Sequence, residues 1–443
     1  MMKSGRIIAL WLLGLLCLFT AVNTNEPYLV ALRGVGVAIL PIASLVVLFF
    51  LTKRRYLSER GLAGRLLVFL WCLPTLLLLH AHVSFDVRKQ NVLQTEVMQA
   101  HTLGQHFVVG YSSFEEVVAL AEKGLIAGIY ITRHNIEGRT AQALKSEIAA
   151  LQDRRRSAGL PPLMVAADQE GGIVSHLSPP LSSLPALATL ADLSPHIRTE
   201  RAEDYGRTHG RELAELGVNQ DFAPVLDLRP ATGGRRFDFN TLIGQRAISD
   251  DPATVSEIGL AYVRGLAAFK VGATVKHFPG LGRVGADTHH FSAKLDAPLE
   301  LLDQADWRPF KEVLAASDAM LMVGHVTLTT VDPDRSASHS AKVIDGIVRR
   351  KWNHQGVIIT DDLVMGAIYN HDVCTAVVEA LNAGVDLLLV AYDGSQFYRI
   401  FACASDAFDR KSLDKTALAD SERRLRRAVP GDQSDAIANK TGR

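Results

Sequence analysis

Two stretches of the sequence concentrate residues able to move protons or form a bond to carbon. The first, residues 276–290, reads KHFPGLGRVGADTHH. Pro279 and the glycines Gly280, Gly282 and Gly285 make a loop long and mobile enough to close over a ligand, and Asp287 and His289 stand two residues apart on it. An Asp beside a His holds the imidazole in one tautomer and raises the pKa of its cation, which suits a proton donor working near neutrality. The same stretch also admits an ordinary surface loop, or a zinc site built from His277, His289 and His290. Zinc is the weaker of these, because the chain carries no two-histidine helical motif and no cysteine pair to complete a tetrahedral set. The second stretch, VIITDDLVMGAI, runs from a β-branched strand directly into Asp361 and Asp362. Asp361 has the position of a buried, inward-facing carboxylate, and Asp362 that of a cap for the following helix. A nucleophilic carboxylate opposed by a movable acid describes glycoside hydrolysis with retention, in which the ordinary pair is two carboxyls about 5–5.5 Å apart. In this chain the acid would be a histidine.

Such groups need a frame that brings them together. From residue 101 to 428, short apolar runs alternate with segments of helical period, and there are eight: His106–Gly110, Ile126–Ile131, Leu163–Ala167, Val218–Ala223, Ala273–Phe278, Ala319–Val323, Val357–Thr360 and Asp386–Ala391. Strands alternating with helices pair in parallel through right-handed crossovers, and eight units in about 330 residues fit an α/β fold of the closed (β/α)8 kind better than an open sheet. Nearly every run ends in ionisable or amide groups: Arg133, His134 and Asn135; Asp168, Gln169 and Glu170; Asp227; Lys276 and His277; His325; Asp361 and Asp362; Tyr392 and Asp393. One polar residue after a strand is usually a cap or turn former. Several in register, at strand ends that a barrel gathers on one rim, predict a pocket.

The segments VAADQEGGIV, FAPVLDL, IGQRAI, KHFPGLGRVGADTH, VGHV and ITDDLVMGAI follow one another in that order. Over residues 101–400 the chain resembles the bacterial β-N-acetylglucosaminidases of glycoside hydrolase family 3. The most specific element runs from Lys276 to Gly282 and, four residues on, through Asp287, Thr288 and His289. That spacing marks the N-acetylglucosaminidase branch, as opposed to the β-glucosidase branch with its acid/base on a second domain. The resemblance implies that Asp361 is the nucleophile forming a glycosyl-enzyme intermediate, His289 the general acid/base and Asp287 its orienting partner. It places Asp168, Arg246, Lys276 and His277 on the sugar hydroxyls and sets His325 and Met365 near the pocket. It implies no metal and no cofactor.

Two positions depart from the family pattern. Ile173 and His176 stand where the family has arginines, the second of which engages the sugar, so His176 is expected as the replacement donor and sugar preference stays open. A neutral imidazole repels an incoming anion less than a carboxylate does. The alternatives to a β-N-acetylhexosaminidase are therefore a phosphorylase or a family 3 glycosidase of altered sugar specificity. A catalytically silent saccharide-binding protein is a further alternative, against which the intact Asp287, His289 and Asp361 argue.

The first 85 residues are of another kind. Ile7–Val22, Val35–Thr52 and Leu66–Val83 contain no Asp, Glu, Lys or Arg, and each has the length of a spanning helix. Lys3 and Arg6 precede the first run, and the loop between the second and third carries Lys53, Arg54, Arg55, Arg60 and Arg65 against Glu59. Cations are retained on the cytoplasmic side, so the third helix is expected to exit outward and leave the remainder extracytoplasmic. The expected organisation is a three-helix membrane anchor (1–85), a linker (86–100), the barrel (101–428) and a polar tail (429–443). Trp71 and Pro74 carry no functional message at this level. Cys17 reads as lipid-facing or packing, while Cys374 and Cys403 either pair or remain inert buried thiols.

Of the 443 residues, 47 are Lys or Arg and 47 are Asp or Glu, a balance that disfavours nucleic acid or another polyanion as partner. Residues 1–100 hold ten basic and four acidic side chains, which leaves 37 and 43 for the rest. The neutral sum thus joins a basic anchor to a mildly acidic enzyme, whose expected partners are a carbohydrate and the lipid bilayer. The reading that results is an exo-glycosidase acting on cell-wall (peptidoglycan) fragments from the periplasmic side of the cytoplasmic membrane.

Overall fold

Each of the eight apolar runs forms a strand in the computed structural model, which describes residues 4–24, 30–53, 56–230, 241–285, 293–369 and 372–428. These are β1 (Phe107–Gly110), β2 (Gly128–Ile131), β3 (Met164–Ala167), β4 (Gln220–Asp221), β5 (Gly272–Phe278), β6 (Met320–Val323), β7 (Ile358–Asp362) and β8 (Leu387–Val390). Neighbours in sequence are neighbours in the sheet, all parallel, and β8 returns to pair with β1 through Leu388 and Phe107, so the barrel closes.

Strand residues alternate between the barrel axis and the surrounding helices. Val108, Tyr130, Ala166, Phe222, Met320, Met322, Ile359, Leu387 and Leu389 form one core cluster, in which Tyr130 stacks on Phe222 with ring centroids 5.7 Å apart. The residues between them, such as Val109, Ile129, Leu321, Ile358 and Leu388, are buried as well. Burial on both faces explains why the strands read as continuous apolar runs.

The helices Pro195–Leu216 and Pro252–Ala267 pack unusually closely, because Gly206 and Gly265 meet at the contact. A Cβ on Gly206 would lie 2.2 Å from the carbonyl oxygen of Tyr262, and one on Gly265 2.3 Å from that of Glu203. At the opposite end of the barrel from the rim, the fully buried Asp386 accepts hydrogen bonds from Arg349 (2.6 Å), Arg424 (2.8 Å) and the amide of Ile358 (2.7 Å). Two guanidinium groups compensate one buried carboxylate and tie β7, β8 and the last helix, Lys415–Ala428, together. Cys374 and Cys403 form a disulfide between the helices Val373–Ala383 and Phe397–Asp409, which resolves the alternative left by the sequence.

The chain divides into two compact units, Met1–Gln94 and Thr95–Arg443. The smaller holds α1 (Ser4–Val22), α2 (Val30–Lys53) and α3 (Tyr56–Leu93). Among the described residues, two helices, over Gly5–Val22 and Gly61–Leu93, are long and apolar enough to cross a membrane. The described apolar stretch of α2, Ala38–Thr52, is shorter. Of the three expected spans, two therefore have a candidate among the described residues. α3 also breaks at Gly61 (φ 51°) and continues to Leu93, so the segment expected as a linker begins as helix, and Val97–Gly104 is helical again.

Trp71 has a packing role that sequence did not disclose. Its indole donates to the carbonyl of Leu10 on α1 at 3.2 Å, and Gly14 leaves the room: a Cβ there would stand 2.8 Å from Leu70. Cys17 packs against the same cluster.

Candidate active site

The rim groups converge as expected, and most of them are engaged with one another. Lys276, at the end of β5, bridges Asp168 at the end of β3 and Glu170 two residues on, the latter at 2.7 Å. Glu170 is also clasped by Arg246 through two hydrogen bonds, Nε at 2.9 Å and Nη2 at 2.6 Å. Arg246 donates further to the carbonyl of Thr241 (2.9 Å) and faces Nε2 of His277 (3.3 Å). With Glu170 and Arg246 almost fully buried, this pair is a fixed wall of the pocket.

The charges set one another's ionisation. Burial alone would raise Asp168 and Glu170, but Lys276 beside the first and Arg246 and Lys276 beside the second hold both carboxyls below their ordinary range. Burial would likewise lower Lys276, and the two carboxylates outweigh it and raise it. The site therefore carries two carboxylates and two cations as ions in a dry setting, where their fields act strongly.

His277 is held by Asp227, which accepts from its Nδ1 at 2.7 Å and from its backbone amide at 3.1 Å. Nδ1 is thus the protonated nitrogen and Nε2 the acceptor turned to Arg246. With both ring nitrogens engaged, His277 is not available to the zinc site that the sequence also admitted. Among the described residues no group of three or more His, Cys, Asp or Glu could hold a metal ion. The other oxygen of Asp227 accepts from the amide of Leu281 (2.7 Å), and Trp307 donates to the carbonyl of Pro279 (3.0 Å), so the entry to the glycine-rich loop is pinned. Beyond it, Ala293–Leu295 pairs in parallel with Val326–Leu328. Asp287, His289 and His290 lie outside the described residues.

At the end of β7, Asp361 is half-buried and accepts from the amide of Asp362 at 2.8 Å. Asp362 does not serve as a simple helix cap, as the sequence suggested. Its carboxylate takes the amides of Ala391 (2.9 Å) and Tyr392 (2.8 Å) beyond β8, together with that of Val364 (3.1 Å). Burial pushes its pKa up to about 6, the three amides partly offsetting the rise. His325 donates from Nε2 to the carbonyl of Asp362 (2.9 Å) while Nδ1 faces the hydroxyl of Ser338 (2.8 Å). The amide of Met365 donates to the same carbonyl (3.0 Å) and its side chain is buried. His325 and Met365 thus position the peptide that carries Asp361.

Of the carboxylates described at this rim, Glu170, Asp221, Asp227, Asp362 and Asp393 are buried. Asp168 and Asp361 alone keep partial exposure. Such a pair of reachable carboxylates in a rigid, charged frame can hold a polyhydroxylated ligand with one and attack it with the other. The sequence pattern of the family described as Glycosyl hydrolase family 3 N terminal domain matches residues 93–428. The chain belongs to glycoside hydrolase family 3. A beta-hexosaminidase of Xylella fastidiosa (strain M12) is 35% identical over 289 residues, 64% of this chain and 82% of its own length. The structure of a family 3 beta-N-acetylglucosaminidase from Paenibacillus sp. str. FPU-7 superposes with a TM-score of 0.67 at 30% identity, covering 74% of this chain and 61% of that one. A beta-N-acetylhexosaminidase from Beutenbergia cavernae DSM 12333 gives 0.67 at 26% identity over 74% and 98%.

In this glycoside hydrolase the family's departures have a structural setting. Ile173 is half exposed on the hairpin of Gln169–Gly171 and Val174–Ser175, whereas His176 turns inward, its Nδ1 3.2 Å from the hydroxyl of Tyr130. Burial lowers the pKa of His176, opposed by the charge of Asp168 and reinforced by that of Lys276. Tyr130 itself donates to Asp168. Sequence reading missed Tyr130, because a tyrosine in the strand GIYI reads as an ordinary sheet residue. Glu170 was visible as a rim residue, but its partners were not.

Behind Glu170 lies a second buried carboxyl. Asp221 accepts from the amide of Gln169 (3.0 Å) and the hydroxyl of Tyr262 (2.8 Å), which in turn meets His209 at 2.9 Å across the close helix pair. Among the described residues no cation pairs with Asp221, and burial pushes its pKa up to about 8 from 3.8. The folded state thus favours the protonated form. Below the ordinary value both folded and unfolded chains carry the proton and nothing is lost. As pH rises from about 4 towards 8 the unfolded state releases it, so stability falls, and above 8 the loss is constant. Asp221→Asn, which mimics the protonated group, is expected to gain melting temperature over the parent progressively from pH 5 to 8 and no further above it. A difference independent of pH would show that the carboxyl is ionised throughout.

Proposed function

We propose that this family 3 enzyme is a retaining exo-β-N-acetylhexosaminidase that removes terminal β-linked N-acetylglucosamine from cell-wall fragments or related glycans. The observation that carries the reading is that, among the described carboxylates of the rim, Asp168 and Asp361 are the reachable ones, the first inside a cationic frame and the second on a braced strand end. Asp168 accepts hydrogen bonds from the hydroxyls of the terminal sugar. Lys276, with two of its three donors committed to carboxylates, offers the third. Arg246, His277 and His176 line the same subsite, Arg246 chiefly by holding Glu170.

Asp361 attacks the anomeric carbon and forms a glycosyl ester as His289 gives its proton to the departing oxygen, with Asp287 orienting the ring. His289 then takes a proton from water, which attacks the same carbon, frees Asp361 and releases the sugar with its configuration retained.

The smaller unit is proposed to anchor the enzyme in the cytoplasmic membrane, with the barrel on the outer side. Support comes from the apolar side chains its helices turn outward: Leu12, Leu16, Phe19, Ile42, Leu76 and Leu79 are each more than half exposed. Such a surface is at home in lipid and costly in water.

Digestion of muropeptides by the full chain, with and without phosphate, tests the reading. Free N-acetylglucosamine is the expected product in both. A sugar 1-phosphate appearing only with phosphate would make the enzyme a phosphorylase, and release of no terminal sugar would overturn the assignment.

A further inference from the structure

Tyr392 differs from the other tyrosines of the barrel unit. Among those with described side chains, Tyr111 is tied to Glu147, Tyr130 to Asp168, Tyr205 to the carbonyl of Pro185, Tyr262 to Asp221 and Tyr398 to Glu116. The hydroxyl of Tyr392 has no partner among the described residues, and the residue is 65% exposed just beyond the carboxyl end of β8.

Its backbone, in contrast, is firmly held. The amide of Tyr392 donates to Asp362, next in sequence to Asp361, at 2.8 Å. The buried Asp393 that follows accepts from the amide (3.3 Å) and hydroxyl (2.6 Å) of Ser395 and from the side chain of Gln396 (2.9 Å). Gly394 then passes so close to the end of β1 that a Cβ would stand 1.8 Å from the carbonyl oxygen of Gly110. An aromatic ring left in water on so rigid a base loses little freedom when a ligand covers it.

We propose that Tyr392 is a stacking platform for the sugar ring on the leaving-group side of the cleaved bond. The inference rests on the reading of Asp361 as nucleophile, because Asp362, next to it in sequence, holds the backbone from which the ring projects. A pyranose turns a patch of C–H groups outward on its face, which an aromatic face covers while the hydroxyl edge stays wet. The terminal sugar belongs to the buried polar frame of Asp168 and Lys276. The exposed ring meets the next residue of the glycan, so the favoured substrate has a pyranose, and not a small alcohol, as its leaving group.

The test compares di-N-acetylchitobiose with methyl β-N-acetylglucosaminide, whose leaving group is too small to stack. In Tyr392→Ala the ratio of kcat/KM for the disaccharide to that for the methyl glycoside is expected to fall about 5- to 20-fold, mainly through KM, and Tyr392→Phe is expected to keep the parent ratio. Tyr392→Leu, which retains bulk without a π face, is expected to fall like Ala and serves if the Ala variant does not fold. An unchanged ratio in the Ala or Leu variant overturns the platform. A parent enzyme that cleaves neither glycoside overturns the reading of the reaction, and the inference with it.

Discussion

Asp361→Asn is expected to lower kcat for a chromogenic β-N-acetylglucosaminide by about 10⁴-fold or more, which is about 5 kcal/mol of barrel-bound transition-state stabilisation lost at a single atom. The amide matches the carboxylate in shape, and its oxygen can still accept the 2.8 Å hydrogen bond from the amide of Asp362. The variant should therefore fold and melt like the parent. What it lacks is the charge and nucleophilicity needed to form the glycosyl ester. Steady-state release of the chromophore, read alongside the melting temperature, separates the two effects, and full activity in the variant would remove Asp361 from the mechanism. Asp362 offers no substitute, since both of its oxygens accept backbone amides from within the barrel.

His289→Ala is expected to cost about 10²- to 10⁴-fold, the usual worth of positioned acid/base catalysis. The loss should depend on the leaving group. A poor leaving group such as a sugar hydroxyl needs the proton in the transition state, whereas an activated phenol departs well without it. A series of glycosides with leaving groups of falling pKa should show the deficit shrinking along the series for glycosyl-enzyme formation. A deficit of equal size for every leaving group would assign His289 a structural part and leave the acid to be found elsewhere.

Much of the frame behind these expectations was legible in the chain. Apolar runs such as Ala319–Val323 and Asp386–Ala391 mark buried strands because a strand covered on both faces must be apolar throughout, and their alternation with helices leaves few ways to connect them. Barrel closure then places Asp168, Lys276, His277 and Asp361 on one rim, with Arg246 reaching it from the helix Ile243–Arg246. The resemblance of the motifs had named all of these positions. Membrane spans were less legible: charge-free length suggested three crossings, and among the described residues two helices are long and apolar enough to make one.

What the sequence by itself determined is the order of the strands, the rim on which the chemistry-bearing residues gather and the family to which their spacing belongs. These follow from local periodicity, from strand–helix alternation and from short motifs, all of which are properties of neighbouring residues. Only the tertiary structure decided which of the gathered groups remain reachable. Glu170 is consumed by Lys276 and Arg246, Asp227 by His277 and the loop, and Asp362 by the end of β8, while Tyr130 is recruited to Asp168 and Tyr392 is left open on a rigid turn. The physical reason is that pairing and desolvation depend on distances between residues as far apart in sequence as 168 and 276, which no local pattern encodes and only the closed barrel sets.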